Sequence, residues 1–204
     1  MLIKPKNYDE IIVNQEFEKL ELGGHKGIIK DVKEYTSTIS GNTSLKVEVD
    51  TANDDKQPNY FQKQYDENTN TDKKWSTSGT KYVSLKEEEN CIKMLKAFIT
   101  SVENSNSNFV YNWDKDVDQL KGKKVGLIFG LEEYKNDKGE TKTSTKLIQF
   151  RSIDKVNNAK IPNVKLLDGS YMSIDDYNER KEDKKDAYVD FGDVVEISDD
   201  ELAF

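Results

Sequence analysis

The sequence predicts a mainly β fold of the α+β class with a single amphipathic helix. Two pairs of strand-like segments carry that expectation, together with one helical stripe of apolar residues between them. A long polar connection, rich in Asn, Asp, Lys, Gln and Thr, separates the first pair from the helix.

The first pair begins after Gly23-Gly24. Residues 27–35 (Gly-Ile-Ile-Lys-Asp-Val-Lys-Glu-Tyr) hold β-branched and aromatic residues in partial alternation, and 45–50 (Leu-Lys-Val-Glu-Val-Asp) alternate strictly between apolar and charged. Such alternation places one face on a core and the other in water. Ser40-Gly41-Asn42-Thr43 is the turn between them. Residues 53–80 follow as a long loop carrying Tyr60, Phe61, Tyr65 and Trp75, and loops of that length are usually functional or disordered. Ser84 with Glu87 forms a capping box, Ser at the N-cap and Glu three residues on. Ile92, Leu95, Ile99 and Val102, widened by Met94 and Phe98, recur at helical spacing over 85–103. The second pair is 125–130, continued by Glu132-Glu133-Tyr134, and 143–151, joined through Asn136-Asp137-Lys138-Gly139. Gly126 and Gly130 within a strand mark a bend or bulge. A strand-strand-loop-helix-strand-strand order fits an OB-like Greek-key barrel with extended loops. Five strands require one more, within 73–85 or 109–118. The expected organisation is an N-terminal arm (1–22), the barrel domain (23–170) and a flexible acidic tail (171–204).

Hydrophobic residues make up only 34% of the 204, which points to a modest core. No apolar run approaches the roughly 20 residues that span a bilayer, so no membrane association is expected. Met1-Leu2-Ile3-Lys4-Pro5 has no extended apolar stretch behind it, so a secretory signal is not expected either. The single cysteine, Cys91, fits a reducing compartment and a cytoplasmic protein. Charge is unevenly placed. From Asp186 onward stand Asp186, Asp190, Asp193, Glu196, Asp199, Asp200 and Glu201 with no lysine or arginine; 39 acids less these seven leave 32 against 31 bases. The acidity is therefore a property of the tail, and the body is close to neutral.

Catalytic signals are weak. His25 is the sole histidine and has no soft partner with which to assemble a metal site; its position favours a structural role. Cys91 reads as a small core residue of the helix. Gly122-Lys123-Lys124 lacks the spacing of a phosphate loop. No enzymatic activity, cofactor or metal is expected. Aromatic rings interleaved with lysines are the stronger lead, because single-stranded nucleic acid is held by stacking on rings and by cations along its phosphates. Tyr60, Phe61, Lys63 and Tyr65 form one such stretch and Lys73, Lys74 and Trp75 a second. Lys30, Lys33, Tyr35 and Lys46 stand on the first strand pair, and Tyr134, Lys135, Lys138, Lys142 and Lys146 surround the last hairpin. The competing reading makes Tyr60, Phe61 and Trp75 a satellite core that holds the loop down. At the other end, Asp199, Asp200 and Glu201 run into Leu202 and Phe204, an acidic tip with apolar anchors that a basic pocket could capture.

Several stretches occur in an order similar to that of a known family. They are Trp75, Ser84-Leu85-Lys86-Glu87-Glu88, Phe98-Ile99 with Glu103, Leu120-Lys121-Gly122-Lys123, Gly126, Phe129-Gly130, Glu132-Glu133-Tyr134, Gly139-Glu140, Lys142-Thr143 and Phe150-Arg151-Ser152. Over about residues 20 to 170 the chain resembles proteins of tailed phages and prophages of Gram-positive bacteria, encoded in replication and recombination cassettes. The tip resembles the C-terminus of bacterial single-stranded-DNA-binding proteins, with Ala203 where those have proline. The resemblance implies a phage DNA-binding protein in the host cytoplasm that coats single-stranded DNA during replication or recombination. It implies that phage or host replication and recombination enzymes are recruited through the tip, and it leaves room for a homo-oligomer. Two rivals stand beside it: an adaptor or loader for a recombinase, helicase or primase with no DNA binding of its own, and a carboxylate-metal nuclease.

Overall fold

The computed structural model describes residues 18–189 together with Lys4 and Lys6, with side chains as far as residue 181. The acidic tip and most of the N-terminal arm lie outside the described residues. Among the described residues a seven-stranded sheet and three helices make a mainly β structure of the α+β class. The elements are β1 (Gly23–Thr36), β2 (Thr43–Thr51), α1 (Tyr60–Glu67), β3 (Thr80–Ser84), α2 (Glu89–Ser105), β4 (Lys124–Lys135), β5 (Thr141–Arg151), β6 (Val164–Lys165), β7 (Tyr171–Met172) and α3 (Ile174–Val189). Hydrogen-bonded neighbours run β3-β2-β1-β4-β6-β7, and β5 pairs with β4. No ladder joins β3 to β5 among the described residues, so the sheet is not closed. Across that gap the Lys146 ammonium donates to Thr77 Oγ1 at 3.0 Å.

Both expected strand pairs form, and the further strand is β3, within 73–85. Alternation sets the core. Ile29 and Val32 of β1, Leu45, Val47 and Val49 of β2, and Val83 of β3 point inward, as do Val125, Leu127 and Phe129 of β4. α2 closes one end with Phe98, Ile99 and Val102. Two bulges bend the long strands. The register passes from Ile29↔Val49 to Asp31↔Glu48, leaving Lys30 as an extra residue in β1. It passes from Ile128↔Gln149 to Phe129↔Leu147, leaving Ile148 extra in β5. A Cβ on Gly130 would stand 2.9 Å from Ile148 Cγ1, so this glycine makes room for the bulged side chain.

Four expectations are corrected. The capping box does not form: Ser84 ends β3, and α2 begins at Glu89 after Glu88, with no side-chain cap. The outermost apolar positions of the stripe, Ile92 and Met94, are exposed. The supposed loop contains α1, whose first turn is held from β2. Asp50 Oδ1 accepts the Phe61 N–H at 2.8 Å and Oδ2 the Gln62 N–H at 3.2 Å, while Thr51 Oγ1 accepts the Tyr60 N–H at 2.9 Å. These carboxylate and hydroxyl oxygens satisfy donors that every helix start leaves unpaired. Burial pushes the Asp50 carboxyl up, opposed by its N–H bonds. Finally, the folded body continues past residue 170. Tyr177 of α3 is buried, and its hydroxyl donates to Glu133 Oε1 at 3.1 Å.

His25 is buried. Its Nδ1 lies 2.8 Å from Asp55 Oδ1 and its Nε2 lies 3.0 Å from the Glu21 carbonyl, with the ring edge-on to Phe129. Gln57 bonds both Glu21 N–H and Lys19 C=O, and the Tyr60 hydroxyl accepts the Leu20 N–H. Residues 19–21 are thereby strapped to the 55–60 segment. No helix among the described residues is long and apolar enough to cross a membrane.

Candidate nucleic-acid interface

The solvent face of β1, β2 and β3 carries the residues that alternation turns outward. Lys33, Lys46 and Tyr82 are in register across the three strands, and Tyr35, Ser44 and Ser84 form the next row on the same face. Tyr35 and Tyr82 are 41% and 48% exposed, with ring centroids 5.4 Å apart and planes tilted by 58°. Two rings half open to solvent and touching each other form a platform on which planar ligands can stack. Ser37, Asn42, Lys86 and Glu88 continue the groove that they line.

The electrostatics of this face are balanced rather than basic. Lys33 Nζ lies 3.6 Å from Asp31 Oδ2, and Lys46 Nζ lies 2.5 Å from Glu48 Oε1. The Glu48 hydrogen bond raises the Lys46 ammonium above its ordinary value, against the cost of burial. Asp31 also accepts from Lys121 at 2.8 Å, which holds its carboxyl below the usual range. Each face lysine is thus shared with a carboxylate two residues along its own strand. A phosphate would have to compete for it.

The other expected site residues fall into two groups. Tyr134, Lys135, Lys138 and Lys142 are exposed on the β4–β5 hairpin, with Tyr134 in register with Lys142. Asn136 Oδ1 fixes the turn by accepting from the N–H groups of Lys138 and Glu140, and Lys142 pairs with Glu140 at 3.2 Å. Lys146 is committed to Thr77. The aromatic stretch is spent on packing. Phe61 is 1% exposed, so it cannot stack on a base as placed; the expectation is corrected in favour of the satellite core. Tyr60 and Trp75 pack against the same core, and the Trp75 indole N–H donates to the Val49 carbonyl at 3.1 Å. Tyr65 lies against Trp75 at 5.8 Å, with the Lys73 ammonium 5.6 Å from its ring centroid. Lys63 and Lys74 are exposed around α1, and Lys30 is exposed on the β1 bulge. Asp199, Asp200, Glu201, Leu202 and Phe204 lie outside the described residues.

Sequence reasoning missed Tyr82. Its signal was Lys81-Tyr82-Val83-Ser84, which alternates like a strand and needed only the recognition of β3. It also passed over Trp113, 69% exposed and edge-on to Tyr111 at 4.8 Å. No cluster of three or more His, Cys, Asp or Glu suited to a metal ion occurs among the described residues. No family model matches the chain, and no curated protein matches it either.

Proposed function

We propose that this chain binds single-stranded DNA on the outer face of β1, β2 and β3 and recruits replication or recombination enzymes through its acidic C-terminal tip. The observation that carries the reading is the exposed Tyr35–Tyr82 pair in register with Lys33 and Lys46. An OB-like barrel is the fold that goes with it. Support comes from a central, bulged β1 pairing with both β2 and β4, from β3 and β5 on the outer edges, and from α2 between β3 and β4. The face and the lysine-bearing β4–β5 hairpin are where such a fold grips oligonucleotides. Rings supply sequence-tolerant stacking. If Lys33 and Lys46 are the phosphate contacts, log K falls against log salt with a slope of about −1.4.

Fluorescence anisotropy of labelled oligo-dT at low salt tests the reading. Binding in the micromolar range or tighter is the expected result; no binding at tens of micromolar overturns it. The adaptor reading draws on one observation, the pairing of both face lysines with carboxylates. Removing residues 186–204 separates the two. A coating protein keeps or gains DNA affinity on losing a competing anion, whereas a pure adaptor loses partner binding and shows no DNA affinity before or after.

A further inference from the structure

Beside the Tyr35–Tyr82 platform lies a groove of a different character. Asp31 to Glu34 of β1 line it, together with the apolar Leu85, Leu95 and Ile99 and the exposed Trp113. β4 pairs with β1 only from Gly23 to Ile28. Beyond that, Ile29 exchanges bonds with Lys123 and Gly122, and no strand covers β1 as far as Thr36 among the described residues. Ser37 N–H donates to Asn42 C=O across the β1–β2 turn. Antiparallel alternation turns the backbone groups of Val32, Glu34 and Thr36 away from β2; Val32 is buried, and Glu34 and Thr36 are exposed.

The charge of the groove selects among occupants. Asp31, Lys33, Lys121 and Asp118 are bound up with one another. Glu34 and Asp116 make no ion pair among the described residues, and Lys115 is the one unpaired cation lining the groove. The lining holds four carboxylates against three lysines, a slight negative excess. Burial pushes the Tyr111 hydroxyl up, and Asp116 and Glu34 push it further.

We infer that this groove receives an extended peptide from a partner protein, added as a strand beside Lys33–Thr36, with apolar side chains towards Leu85, Leu95 and Ile99 alternating with lysine or arginine. An unpaired edge supplies main-chain hydrogen bonds and the pocket beside it supplies side-chain selection. The open indole of Trp113 suits a cationic group on its face. The groove borders the proposed DNA-binding face and shares Lys33 with it, while Trp113 belongs to the groove alone.

The test is two-dimensional NMR of the full-length protein with an acetylated, amidated Val-Lys-Val-Lys-Val-Lys peptide. The expected result is shifted amides at Glu34 and Thr36 and a shifted Trp113 indole. The same peptide with glutamate for lysine should bind at least tenfold more weakly, and Glu34→Lys should weaken the lysine peptide by a similar factor. Millimolar peptide without these shifts overturns the proposal, as does equal binding of the glutamate peptide. Oligo-dT shifting the Trp113 indole would also overturn it, by making the groove part of the DNA path.

Discussion

Tyr82→Ala removes one half of the exposed ring pair while leaving the inward side of β3, where Val83 holds the core, untouched. Tyr82 is 48% exposed, so about half of its surface is free for a ligand, and the rest rests on Tyr35 and the sheet. Stacking a base on one ring contributes roughly 1–3 kcal/mol, or about 5- to 150-fold in affinity. Loss of Tyr82 also removes the support that tilts Tyr35, so the upper half of that range is expected. Tyr82→Phe keeps the ring and should stay within about threefold of the parent, a difference of ~0.7 kcal/mol. The assay is anisotropy with oligo-dT at low salt, accompanied by urea denaturation. A half-exposed edge position should cost no more than about 1 kcal/mol of stability. Unchanged affinity in both Tyr35→Ala and Tyr82→Ala, with both proteins folded, would refute the assignment of this face. A Tyr35/Tyr82 double-mutant cycle should show coupling, since the rings touch.

The remaining outcomes follow from single groups. Phe204→Ala should abolish recruitment of tip-binding enzymes in a pull-down with purified partners while leaving oligo-dT affinity unchanged. Asp50→Ala removes the carboxylate acceptors of the Phe61 and Gln62 N–H groups in the first turn of α1 and should destabilise the fold by about 2 kcal/mol or more in urea melts. Asp55 is held below the usual carboxylate range: burial would raise it, but His25 and the N–H groups of Gln57 and Lys26 together outweigh burial. Its folded value lies below its unfolded one, so its stabilisation is present in full above the unfolded value and is lost as pH falls through the folded one. Asp55→Asn should therefore flatten the acid limb of a stability-versus-pH curve and destabilise the protein at neutral pH.

Strands were legible wherever one face meets water. Leu45-Lys46-Val47-Glu48-Val49 announces its register by charge alone, and the β4–β5 hairpin by its Asn-Asp-Lys-Gly turn. β3 was harder because five residues give few alternations, and its last residue, Ser84, mimics a helix cap. α1 was illegible for a physical reason. Its start is capped by Asp50 and Thr51, about ten positions away and on another strand, and local sequence carries no trace of such a bond. The same blindness hid the fate of the aromatic stretch: Phe61 and Trp75 look like ligand contacts until the sheet that covers them is known. The Lys33 and Lys46 face was foreseen, but not its neutralisation by Asp31 and Glu48, since i and i+2 neighbours share a strand face only once the strand itself is established.

His25 has a practical consequence. It is the only histidine in the chain, and its two ring nitrogens reach Asp55 and the Glu21 carbonyl. A single imidazole signal in a nitrogen-edited spectrum therefore reports, without any assignment effort, whether the strap at residues 19–21 is fastened. Because that ring also rests against Phe129 in the core, the same signal can follow whether an event at the surface, such as DNA or peptide binding, is felt at the centre of the molecule.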